Sequence, residues 1–91
     1  MLKIVWVPGS EPPLLKLEGR IAGPWIEELE RIWGSIKWTV PHPIVDLTQV
    51  ILFTREGGHL LGQMLQDGAE LQVAPLMKPA IDRIKLEFLK H

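Results

Sequence analysis

The sequence predicts an α/β domain with the element order β-β-α-β-α-β-α, and three observations carry that prediction. The first is Ile44-Val45-Asp46-Leu47-Thr48-Gln49-Val50, a short apolar run that leads through a polar turn into helical spacing. A run with Ile, Val and Leu facing both ways marks a strand buried on both sides, as the central parallel strand of an α/β sheet is. The second is the alternation in 14–19, with Leu15 and Leu17 on one face and Lys16 and Glu18 on the other. The third is the recurrence of apolar residues at intervals of three and four, first from Trp25 to Ile36 and again from Leu60 to Leu65.

In chain order, Leu2-Lys3-Ile4-Val5-Trp6-Val7 has the β-branched and aromatic character of a strand. Pro8-Gly9-Ser10-Glu11-Pro12-Pro13 is a turn, because no helix interior accepts it. The alternating 14–19 segment then predicts a second strand, antiparallel to the first and near an edge. Pro24 suits the first turn of a helix. Trp25, Leu29, Ile32, Trp33 and Ile36 form the buried stripe, with Glu27, Glu28, Glu30 and Arg31 opposite. Glu27 and Arg31 are spaced as an i,i+4 pair, and Gly34 marks a place for the last turn to fray.

Pro41-His42-Pro43 forces an extended approach to the strand 44–50, which is expected in the sheet interior with Val45 and Leu47 fully covered. Thr54 is the expected N-cap of the next helix, with Glu56 in its first turn. Leu60, Leu61, Met64 and Leu65 face the core, and Gly68 after Asp67 closes the helix. Residues 69–74 alternate as another strand. A final helix over 75–91 buries Met77, Ala80, Ile81, Ile84 and Phe88, with Pro79 in its first turn.

Composition narrows the function. With 91 residues, 46% of them apolar, the chain suits one domain with one core. The lack of cysteine removes disulfide and thiolate chemistry and fits a reducing compartment. Ten basic residues against eleven acidic ones give a formal net charge of −1, which argues against nucleic-acid binding. No apolar run is long enough to span a bilayer, and Met1-Leu2-Lys3 leads into a strand, so neither membrane insertion nor a signal peptide is expected. His42, His59 and His91 have no metal-ligand spacing, no serine has a nucleophile context, and the carboxylates form no isolated acid–base pair. Gly57-Gly58 is not a phosphate loop, since no Walker lysine follows. The chain is expected not to be an enzyme and to need no cofactor.

At Val45-Asp46-Leu47-Thr48 and Gly57, and again at Gly68-Ala69-Glu70-Leu71, the sequence resembles the STAS domain, the family of sulphate transporters and anti-sigma-factor antagonists. The leucine-rich second strand ending at Gly19 and the helix from Pro24 fit the same pattern. The resemblance covers essentially the whole chain, as one STAS-like domain over 1–91 of minimal length. It implies a mixed β-sheet with helices packed mainly on one face. It also implies a cytoplasmic, bacterial interaction module whose partner is an anti-sigma-factor kinase.

The departure lies in the turn after the strand, where the family carries Asp-Ser-Ser-Gly or Asp-Ser-Thr-Gly. Thr54 stands at the aspartate position, and Arg55 and Glu56 at the two hydroxyl positions before Gly57. In the antagonist branch the last hydroxyl is phosphorylated by the partner kinase, which then lets go. Glu56 has no hydroxyl, so that switch is expected to be lost while the docking surface, Thr54, Arg55, Glu56, Gly57 and Gly58, is kept. Glu56 is open to two readings, a fixed charge imitating the phosphorylated state or an ordinary first-turn carboxylate. Asp46 either supports the switch site or holds the strand end in register. The resemblance also allows an accessory subunit docked on the ATPase of a lipid transporter, and a nucleotide- or small-ligand-binding domain. Four tryptophans leave room for a homodimer, with Trp6 or Trp38 as exposed anchor.

Overall fold

A computed structural model of the chain describes residues 1–89. The sheet starts from an antiparallel pair, β1 (Leu2–Val7) against β2 (Leu14–Ile21), with Trp6 opposite Leu15 and Ile4 opposite Leu17. Strand alternation sends Leu15, Leu17 and Ile21 into the core and leaves Lys16 and Glu18 on the other face, 3.8 Å apart. The helix α1 (Trp25–Ile36) crosses over to β3 (Ile44–Phe53), which runs parallel to β2. A second helix, α2 (Arg55–Gln66), crosses to the short strand β4 (Glu70–Gln72), parallel to β3. One 3₁₀ turn at Pro75–Met77 then leads into α3 (Lys78–Phe88).

The result is a mixed sheet in the order β1-β2-β3-β4, with the element order that the sequence predicts. Each parallel neighbour requires a helical crossover, and α1 packs on α2 and α2 on α3, so the three helices make one layer over one face. The core between layers joins Leu29 and Trp33 of α1, Leu61 and Met64 of α2, and Ile81 of α3 to Val45 and Leu47 of β3. The Trp33 indole N–H donates to Asp67 Oδ2 at 2.9 Å, tying α1 to the end of α2. There Gly68 follows the C-cap at φ +108, as a left-handed helix stop demands.

Several boundaries differ from expectation. β2 lies next to the edge strand β1, antiparallel to it as expected, but it runs on past Gly19 to Ile21. β4 spans three residues rather than the whole of 69–74. Gly34 does not fray α1, and Arg31 pairs with Glu28 instead of Glu27. Of the residues expected on the last helix, Ile81 and Ile84 of α3 are buried, Phe88 is half-buried and Ala80 exposed, while the half-buried Met77 belongs to the 3₁₀ turn before it. The final residues of the helix expected over 75–91, Lys90 and His91, lie outside the described residues.

The largest correction concerns β3, which is not buried on both sides. Its inward residues are Val45, Leu47 and Val50, while Thr48, Gln49, Ile51 and Leu52 are exposed. The cause is two extra residues. Between Lys16↔Asp46 and Glu18↔Gln49, and again between Gly19↔Val50 and Arg20↔Leu52, β3 advances one residue more than β2. Each bulge flips the alternation, which turns a one-sided strand into a run that looks two-sided. At the first bulge Asp46 Oδ1 accepts from the Thr48 backbone N–H at 2.9 Å and from its hydroxyl at 2.6 Å. β4 pairs with Ile44, Val45 and Asp46, and beyond that point, among the described residues, β2 is the only strand paired with β3. The interior position of β3 thus holds for the first three residues.

Candidate functional site

The turn at the carboxyl end of β3 is built by backbone chemistry. The Thr54 backbone N–H donates to the Ile21 carbonyl at 3.1 Å, which fixes the end of β3 against the end of β2. Thr54 is extended (φ −79, ψ 175), and its Oγ1 accepts from the Gly57 N–H at 3.2 Å, satisfying one of the free donors of the first turn of α2. The cap expected from the sequence is therefore present. Thr54→Ala should cost about 1 kcal/mol in chemical denaturation, with Thr54→Ser close to the parent.

Capping divides the turn into two layers. Gly57 and Gly58 are buried, and Arg55 and Glu56 are exposed. The glycines are therefore backbone and packing elements, and the side chains offered to a partner are Arg55, Glu56 and, one helical turn on, the exposed His59. A Cβ on Gly57 would lie 2.6 Å from the Ile21 carbonyl oxygen. That close approach of helix to strand accounts for a glycine there.

Two proposed contributors fall outside the turn. Asp46 lies eight residues earlier on β3, roughly 25 Å away at ~3.3 Å per residue, and serves the bulge. Trp38 is exposed, with the Lys37 ammonium 5.3 Å from its ring centroid. Lys37 also reaches Asp67 at 3.4 Å, so Trp38 stands by the opposite end of α2. Trp6 is half-buried against the core.

The groove beside the turn was not among the expectations drawn from the sequence. It has a volume of about 660 Å³, with Phe53, Gly58 and Ile84 at its base and Arg55, Glu56, His59, Arg83 and Glu87 around it. Phe88 closes one end, its ring meeting His59 edge-on at 5.2 Å between centroids. Room for that ring comes from Gly62, where a Cβ would lie 2.3 Å from Phe88. The spacing of Gly58 and Gly62 was a usable signal, since small residues four apart let another element approach a helix closely. None of the ion pairs among the described residues involves Arg55, Glu56, Arg83 or Glu87. An apolar base with two cations and two anions around it suits a polypeptide surface.

Among the described residues no group of three or more His, Cys, Asp or Glu is placed to hold a metal ion, and no helix is long and apolar enough to cross a membrane. His42 Nδ1 lies 3.2 Å from the Gly68 carbonyl oxygen, a structural contact, and His91 lies outside the described residues. No protein-family model matches the chain, and no curated protein matches it.

Proposed function

We propose that this chain is a non-catalytic, STAS-like interaction module that docks a cytoplasmic regulatory protein through Arg55, Glu56 and His59 and the adjoining groove. One observation carries the reading: a capped helix start presents unpaired charges at the carboxyl end of a parallel strand, beside an apolar-based groove. Open α/β sheets place their working surfaces at that end. The element order and the one-sided helix layer accord with the family pattern.

In this reading Glu56 supplies a permanent carboxylate where the resembled family carries a phosphorylatable hydroxyl, so binding is not switched by phosphorylation. The same residue favours a second occupant, the ATPase of a lipid transporter, whose docking needs no switch. The chain used as bait in its own cell extract separates the two, by retention of a sigma-regulating kinase or of a transport ATPase. Charge reversal at both Arg55→Glu and Glu56→Arg should abolish that retention, and undiminished capture by the doubly reversed protein would overturn the docking surface. With a kinase partner, Glu56→Ser should tighten binding in calorimetry and allow phosphorylation at position 56. Mass spectrometry of the native protein should find no phosphate on Thr54, whose Oγ1 is engaged by the Gly57 N–H.

A further inference from the structure

The walls of the groove beside the turn decide what conformation a docked segment takes there. Both walls are helices, α2 on one side and α3 on the other. The Gly57 N–H is taken by Thr54 Oγ1, the Gly58 N–H donates to the Thr54 carbonyl at 2.8 Å, and later turns bond within their own helix. Such walls offer an incoming chain almost no backbone donor or acceptor. An extended segment would give up its bonds to water on entering and find none in exchange. A helix brings its backbone bonds with it.

The lining repeats at a helical interval, since α3 contributes Ala80, Ile84 and Phe88 beside Phe53. Gly58 lies against Ile84 and Gly62 against Phe88, four residues on in each helix, so α2 and α3 run side by side in the same direction. A third helix laid along that direction meets the lining with one apolar stripe. Charge is ordered along the groove as well. Arg55 and Arg83 outweigh Glu56 toward the Phe53 end, and Glu87 stands toward the Phe88 end. None of these four belongs to an ion pair among the described residues.

Resting on the docking role proposed above, we infer that the occupant is an amphipathic helix of the partner protein, with its apolar stripe on Phe53, Ile84 and Phe88. Its acidic flank lies at the end held by Arg55 and Arg83, and its basic flank at the Glu87 end. A volume of about 660 Å³ receives several apolar side chains of such a stripe.

The probe is a synthetic peptide of ~14 residues, short enough to be largely unfolded alone. It carries leucines at helical spacing, glutamates toward one end and lysines toward the other. Titrated into the full chain, it should bind with a dissociation constant below ~1 mM and gain helical circular dichroism as it does. The same composition scrambled, or interrupted by a central proline, should bind at least ~10-fold more weakly. Ala80→Trp fills the groove and Arg83→Glu reverses the sign at one end, and both positions are exposed, so the fold should be kept. Each should weaken binding at least ~10-fold, while Leu76→Ser, on the separate apolar surface beside Val50, should leave it unchanged. No binding, binding without a gain of helix, or equal binding by the proline peptide overturns the inference. So does binding that is lost in Leu76→Ser and kept in Arg83→Glu. Capture from cell extract that needs Arg55 and Glu56 but survives Ala80→Trp overturns the helix and leaves the docking surface standing.

Discussion

Leu47→Ala is expected to destabilise the domain by roughly 2–5 kcal/mol, the cost of truncating a fully buried leucine. Leu47 has no exposed surface and belongs to the one core shared by sheet and helices. In a domain of this size that loss approaches the whole stability. Its neighbour Asp46 provides the contrast. Asp46→Ala removes the acceptor for two donors of Thr48, but Thr48 is exposed and water can replace the carboxylate. About 1 kcal/mol is expected there. Urea denaturation of both variants measures the difference. A larger loss in Asp46→Ala would mean that the bulge, rather than the core, governs the placing of β3.

Gly57→Ala should cost about 1–3 kcal/mol, as overpacking does, although alanine is ordinarily the better helix former. The new Cβ would lie 2.6 Å from the Ile21 oxygen, 3.0 Å from Ile21 Cγ2 and 3.3 Å from Phe53 Cβ. A carbonyl oxygen cannot rotate aside like the end of a side chain, and this one already accepts the Thr54 N–H. Relief therefore requires α2 to withdraw from β2. Gly34 of α1 is the internal control, because nothing lies within 4 Å of a Cβ placed there. Gly34→Ala should stabilise by about 0.5–1 kcal/mol through helix propensity and a less flexible unfolded chain. Opposite signs in thermal melts support this account, whereas a stabilised Gly57→Ala would show that the turn yields more readily than its geometry implies.

Features set by local chemistry were legible in the sequence, and features set by distant pairing were not. Thr54 and Gly68 announce the ends of α2 because a cap needs only its neighbours. The stripe on α1 is visible because helix period is intrinsic to the chain. β3 misled, because inward residues at 45, 47 and 50 break the two-residue period that identifies a one-sided strand. How far β2 runs depended on its pairing with β3, more than twenty residues further on. At the candidate site, the cap and the exposed pair Arg55 and Glu56 could be read ahead. The groove was signalled only by the four-residue spacing of Gly58 and Gly62, since Phe88 meets Gly62 only after two helices have packed.

The way α3 is held has a further consequence. It belongs to no strand pairing, buries only Ile81 and Ile84 fully, and rests chiefly on α2. It buries fewer side chains fully than α1, which buries Leu29, Trp33 and Ile36, or than α2, so its release is the expected lowest-energy subglobal opening of the native state. Amide hydrogens of α3 should exchange with solvent deuterium ahead of those of β2 and β3. Since Arg83, Ile84, Glu87 and Phe88 form one side of the groove, the groove exists only while that helix is seated. Occupancy there must therefore favour the closed form, and a bound partner would slow exchange along α3 even at amides it never touches.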